Sequence, residues 1–219
     1  METTQQALAE FTRSYEIIIA EDGSTDGTDK LSDELSQRSP SVKHLHGEKR
    51  LGRGTALKNA FKGSDGKVIV YMDVDLATDL KYLKPLCDAV SIEGYDFATG
   101  SRMLPESKVK RSLSRSISSK SFNFLVRAML RSTLKDHQCG FKAFKRESVL
   151  PLLDEIRATH WFWDTEILVR AQRRGLKIKE IPVEWKSKRK TKVNLLKDSF
   201  SMGQQVLRLW WQLRSEKSV

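Results

Sequence analysis

Val68-Ile69-Val70-Tyr71-Met72-Asp73-Val74-Asp75 is an apolar run that ends in two acids. The β-branched and aromatic residues of 68–72 suit a buried strand. Side chains alternate along an extended chain, so Asp73 and Asp75 are expected to point the same way at its carboxyl end. Hard cations such as Mg²⁺ or Mn²⁺ take carboxylate oxygens together with substrate phosphates. An Asp-x-Asp pair alone is most often two solvated loop acids, so the flanking sequence has to decide.

Upstream, Tyr15–Ala20 (YEIIIA) reads as a buried strand running into Glu21-Asp22-Gly23-Ser24-Thr25-Asp26-Gly27-Thr28. That acidic, Gly-rich turn opens a helix through about Arg38, with Asp26 or Thr28 as N-cap. Ser41–Gly47 reads as the next strand. Gly52-Arg53-Gly54-Thr55 then precedes a helix over Ala56–Lys62. Downstream, Tyr82–Ile92 reads as a helix and Asp96–Gly100 as a short strand. Strands and helices in alternation predict an α/β fold: a mostly parallel central sheet flanked by helices. Ligands of such sheets sit beyond the carboxyl ends of the strands, where both acidic turns fall.

The second half is more basic. Ser112–Arg131 is an amphipathic helix, one piece or two, with Arg115, Lys120, Arg127 and Arg131 among its apolar residues. Phe141–Phe144 reads as a strand, Trp163–Arg174 as a helix and Lys177–Pro182 as a strand. The expected organisation is one domain over 1–194, followed by an amphipathic helix in 195–219. That last helix carries Trp210, Trp211, Arg208 and Arg214, a pattern suited either to a membrane interface or to packing on protein.

With 219 residues and 39% hydrophobic content, the chain can bury one full-sized core. Cys87 and Cys139 stand far apart, without the spacing of a disulfide framework or a zinc site. His44 and His46 have no second ligand cluster near them in sequence and read as alternating residues of a strand. No apolar segment approaches the roughly 20 residues needed to span a bilayer, and residues near Met1 lack a signal-peptide pattern. The net charge of +11 is clustered. Arg102, Lys108, Lys110, Arg111, Arg115 and Lys120 form one group; Lys186, Lys188, Arg189, Lys190 and Lys192 form another. Such clusters suit phosphate-bearing partners. No nucleic-acid module accompanies them, so nucleic acid is not the expected partner.

YEIIIAEDGSTDGT, RLGRGTALKNAF, VIVYMDVDLATD, ATGSRM, DHQCGFKAFKRE, FWDTEIL and IPVEWKSKRKTKV occur in that order. Together they resemble the family 2 glycosyltransferases that make dolichyl-phosphate mannose or dolichyl-phosphate glucose, over residues 15–195. The resemblance implies a GT-A fold and an inverting transfer of a hexose from GDP-mannose or UDP-glucose to a polyprenyl or dolichyl phosphate. It implies that Asp73 and Asp75 hold Mg²⁺ or Mn²⁺ at the donor diphosphate. Asp22 would lie by the nucleoside, and Gly52, Arg53 and Gly54 would form a helix-opening loop whose N–H groups favour the donor's anionic part. Arg102, Arg115, Ser119 and Arg189 would bind the acceptor phosphate. Asp75, Asp136 and Glu166 are the candidate catalytic acids, with Asp164 beside them; the plain alternative for Asp136, Asp164 and Glu166 is capping or salt bridging. A phosphate oxygen is already anionic near neutral pH, its second pKa being about 6, so it needs positioning cations more than a base. The expected location is the cytosolic face of a membrane, held peripherally.

Two departures accompany the resemblance. Ala77 stands where the family often has a polar side chain near the metal, leaving Thr78 or water to substitute. The family's first strand, which would lie between Tyr15–Ala20 and Val68–Met72, is not present. The expectation is a sequence shortened at its start; direct pairing of those two strands is the alternative. A shortened chain that binds membranes or partners without efficient turnover is therefore the competing function. A nucleotidyltransferase would need an N-terminal Gly-rich nucleotide loop, and none is found.

Overall fold

The computed structural model describes residues 1–186 and 195–216, with backbone alone for 195–200. In chain order the elements are α1 (Glu2–Ala9), β1 (Ile17–Asp22), α2 (Thr28–Arg38), β2 (Val42–Gly47), α3 (Arg53–Lys62), β3 (Val68–Met72), α4 (Leu83–Ser91), β4 (Phe97–Ser101), β5 (Lys108–Lys110), α5 (Leu113–Leu130), β6 (Phe141–Lys145), α6 (Arg146–Val149), α7 (Trp163–Arg173), β7 (Ile178–Pro182), β8 (Glu184–Lys186) and α8 (Leu195–Ser215). The central sheet has the order β3-β6-β4-β7. Only β6 runs against its neighbours, so three of the four strands share one direction. β1 and β2 form a separate parallel pair, as do β5 and β8.

The period-2 pattern of β3 explains the layers. Ile69 and Tyr71 face one side, where Phe61 of α3, Phe97, Phe144 and the buried α7 residues Trp163, Ile167 and Leu168 close a core. Val68, Val70 and Met72 face the other side, against Leu83, Leu86 and Val90 of α4 and Leu8 of α1. Each fully buried Leu there contributes about 1.5–3 kcal/mol relative to exposure. A third cluster joins Val126 and Leu130 of α5 to Val206, Leu209 and Leu213 of α8. The last helix therefore lays its inner face on this chain, and α5 is a single unbroken helix.

Two expectations change here. β1 and β3 share no ladder among the described residues, so the two strands do not pair directly. Ile17, Ile18 and Ile19 are half-buried rather than buried, and among the described residues β2 is the strand neighbour of β1 on one side alone.

Candidate active site

β3 ends at Met72, and the acids that follow it lie in a turn. Asp73 N–H donates to Gly140 O at 3.0 Å, and Leu76 N–H returns to Asp73 O at 3.0 Å with Leu76 at φ +47°. The alternation argument for the two carboxylates therefore lapses one residue too early, although both remain at the carboxyl edge of the sheet. Asp75 Oδ1 accepts from Ala77 N–H at 3.0 Å, and Asp73 Oδ1 accepts from Arg53 at 2.9 Å. Among the described residues no hydrogen bond reaches the Oδ2 of either acid, and the Asp73 side chain is 45% exposed. Two accessible carboxylates on a short turn are the donor set that Mg²⁺ or Mn²⁺ prefers, so the residues fit such an ion. Thr78 lines the same small cavity as Asp73. It is buried, bridges to Trp185 and lies beside the Cys139 thiol.

Behind this turn is a buried charged network that the sequence reading only partly foresaw. Arg53, at the start of α3, donates to Asp164 Oδ2 of α7 at 2.5 Å, to Asp73, and to Tyr71 Oη at 3.2 Å. Its guanidinium also lies over the Tyr71 and Trp161 rings, 5.1 and 5.2 Å from their centroids. Asp164 Oδ1 accepts from the Tyr71 hydroxyl and from Lys142 Nζ at 2.8 Å. Lys142 is fully buried on β6 and also donates to Cys139 O. Burial opposes every charge here, yet Lys142 and Arg53 hold the Asp164 carboxyl below its ordinary value. Burial likewise works against the Arg53 charge, and Tyr71, Asp164 and Asp73 outweigh it. A lysine between the phenylalanines of the strand FKAF was the signal for Lys142, since a charge on a buried strand needs a partner.

The Gly-rich loop is used differently from the expectation. Both Asp22 oxygens accept backbone N–H groups, from Leu51 at 2.8 Å and from Gly52 at 2.7 Å. Gly54 N–H donates to Thr159 O at 2.8 Å. The Leu51, Gly52 and Gly54 amides are thus committed within the chain, the first two to the Asp22 carboxylate. The glycines are needed for close approach. Gly52 has φ +105°, and a Cβ there would overlap Thr159 O and the His160 ring; a Cβ at Gly54 would meet Trp163 at 2.8 Å. Asp22 thereby clasps the loop that presents Arg53.

Arg102 and Asp136 form a second buried pair. Asp136 accepts from Arg102 N–H at 2.9 Å, Nε at 2.7 Å and Nη2 at 2.9 Å, and has no exposed surface. His137 next to it is fixed to Asn123 of α5 and to Ser132, and burial pushes the imidazole down to about 4. The Asp136 carboxylate is thus committed to Arg102. Arg111, seen in the sequence only as part of a basic cluster, lies close enough to Arg102 for the like charge to act with burial in depressing its pKa. Arg115 and Ser119 lie half-buried on α5. Arg189 falls outside the described residues. Glu166 does not join the set: its carboxylate accepts from Ala158 N–H at 2.9 Å and pairs with Arg170 at 2.9 Å, so it holds the 157–158 segment to α7.

The Asp136 pair predicts an acid-sensitive stability. Burial alone would raise its pKa, but Arg102 and two backbone N–H groups hold it well below the usual carboxylate range. A depressed folded-state pKa gives stability that is complete above the unfolded value, about 3.9, and lost as pH falls toward the folded one. Urea midpoints are expected to drop below about pH 4 in the unmodified chain. In Asp136→Asn that acid limb is expected to flatten, with a lower plateau at neutral pH.

Residues 2–152 match the sequence family described as Glycosyl transferase family 2. The glycosyltransferase AglD of Haloferax volcanii is 49% identical over 200 residues, 91% of this chain and 32% of that protein. The dolichyl-phosphate beta-glucosyltransferase of Dictyostelium discoideum is 34% identical over 90% of this chain and 62% of its own length. The human dolichyl-phosphate beta-glucosyltransferase is 32% identical over 78% of this chain and 56% of its own. The chain thus spans about a third of AglD and under two thirds of these glucosyltransferases. Among solved structures, glucosyl-3-phosphoglycerate synthase from Mycobacterium tuberculosis in complex with UDP superposes with a TM-score of 0.67 at 19% identity, covering 96% of this chain and 74% of that one. Its complex with Mn²⁺, UDP and glucosyl-3-phosphoglycerate gives 0.66 at 16% identity, covering 95% and 72%. That likeness is one of fold, the α/β GT-A arrangement. The sequence match takes in more than half of the chain, which belongs to glycosyl transferase family 2.

Proposed function

We propose that the chain is the catalytic domain of an inverting glycosyltransferase that moves glucose from UDP-glucose to a polyprenyl or dolichyl phosphate. The observation that carries this reading is the solvent-open Asp73/Asp75 turn at the carboxyl edge of β3, tied through Arg53 to Asp164. UDP-glucose is preferred to GDP-mannose because several relatives are named glucosyltransferases and the superposing synthase is also known with UDP-glucose. Asp73 and Asp75 would hold the divalent cation, Mg²⁺ or Mn²⁺, which supplies charge at the leaving diphosphate. Arg53 keeps the Asp73 carboxylate turned into the site. Arg111, Arg115 and Ser119 present cations and a hydroxyl to the acceptor phosphate. An acceptor oxygen then attacks the anomeric carbon, and the bond to the nucleoside diphosphate breaks with its electron pair leaving on the phosphate oxygen. No general base is needed, because the attacking oxygen is already anionic.

Transfer from UDP-glucose to a short polyprenyl phosphate with Mn²⁺ tests this. Asp75→Ala is expected to lower kcat/KM for the donor by about 100-fold or more, given the 10–100-fold cost of disturbing even the groups around a metal. Arg115→Ala is expected to raise KM for the acceptor and leave KM for the donor alone. Unchanged turnover in both variants overturns the assignment.

One observation favours a second reading, that of a membrane-binding module with weak turnover. Leu113, Ile117 and Phe124 are exposed on one face of α5, and Trp211 is exposed on α8. Among the described residues no helix is long and apolar enough to cross a membrane. A peripheral hold on the cytosolic face through this apolar, basic surface serves the enzyme reading equally, since the acceptor is a lipid. Liposome sedimentation in the absence of any transfer would favour the module.

A further inference from the structure

β1 and β2 place three ligand-bearing side chains on one face. In their parallel register Ile19 lies opposite His44 and Glu21 opposite His46. His44 and His46 are two residues apart, so they share a face, and Glu21 joins them from the neighbouring strand. One ligand atom from each lies within 4.8 Å of the other two. Glu21 is almost completely buried, with 1% of its side chain exposed, and Ser24 N–H fixes one of its oxygens. The other oxygen is 2.6 Å from His46 Nδ1.

An ion pair between Glu21 and His46 would account for two of the three groups. It leaves His44 Nε2 buried and without any partner in the described structure. A buried imidazole nitrogen without a partner is costly and needs an explanation. A shared cation supplies one, because it takes a lone pair from His44, His46 and Glu21 at once. Ligands of a tetrahedral ion at 2.0–2.1 Å lie about 3.3 Å apart, so closing the set needs rotations of side chains and no movement of strands. Two imidazoles and one carboxylate select Zn²⁺ or a similar borderline metal over Mg²⁺, which prefers oxygen alone.

We propose that Glu21, His44 and His46 form a second cation site, for Zn²⁺ or a like transition metal, on the face of β1 opposite Asp22. Consecutive residues of a strand face opposite sides, so this ion lies across β1 from the Asp22 side chain. It pins β1 to β2 one residue before Asp22, whose carboxylate clasps Leu51 and Gly52. The site braces the turn that presents Arg53.

Titration of the untagged, metal-stripped chain with ZnCl₂ in excess Mg²⁺ tests this by calorimetry. One Zn²⁺ per chain is expected, along with a higher thermal midpoint. His44→Ala and His46→Ala are each expected to weaken binding by about tenfold or more. His160→Ala, a histidine that is not among the three ligands, is expected to bind as the unmodified chain does. Should a variant fail to fold, imidazole NMR of the unmodified chain decides: Zn²⁺ is expected to shift the His44 and His46 signals but not that of His137. No stoichiometric binding, binding indifferent to both substitutions, or shifts elsewhere overturn the site.

Discussion

Asp164→Ala is expected to destabilise the chain by about 3–5 kcal/mol, the usual cost of breaking a buried ion pair from one side. Asp164 is 4% exposed and takes hydrogen bonds from Tyr71, Lys142 and Arg53. Its loss strands the fully buried Lys142 ammonium on β6, with Cys139 O and Tyr71 Oη as its remaining contacts. With a urea slope of about 1–3 kcal/mol/M, the midpoint should fall by more than about 1 M. The double variant Asp164→Ala/Lys142→Met should recover much of the loss, because it removes the uncompensated charge along with its partner. An unchanged midpoint in the single variant would show that the network carries no stability.

Gly140→Ala should have the opposite profile, with a small effect on folding and a large one on transfer. A Cβ at Gly140 would overlap the Asp73 carboxylate. That side chain is exposed and flexible enough to swing away, so a cost of about 1 kcal/mol is expected, as for most single substitutions. Swinging away breaks the link to Arg53 and moves the carboxylate out of the turn. A displacement of about 1 Å at a reacting site costs about 100-fold in rate. The measurement is kcat/KM for the sugar nucleotide beside a urea midpoint. Full activity would mean that Asp73 has no fixed place in turnover.

Much of the site could be read from local pattern. The strand 68–72, the acidic turn after β1, the Gly-x-Gly loop before α3 and the basic α5 are local features, and local periodicity and turn chemistry report them. What each group is bonded to was less legible. Asp22 and Gly52 lie 30 residues apart and form a clasp, so the Gly52 amide is satisfied internally, as is that of Gly54 on Thr159. Glu166 and Asp164 looked interchangeable in FWDTEIL. On the buried helix α7, however, two residues of separation turn them to different neighbours, Arg170 for one and Lys142 for the other.

The sequence by itself determined the order of the main strands and helices, the α/β class, and which acids arrive at the carboxyl edge of the sheet. Those properties follow from side-chain period and turn residues, which act over a few positions. Tertiary structure alone decided that Arg53 joins Asp73 to Asp164, which lies 111 residues beyond Arg53, and that Asp136 is spent on Arg102. It alone decided too that Glu21 completes a set with His44 and His46. Strand register and helix packing bring these groups together, and no local pattern encodes which distant partner a buried charge will find.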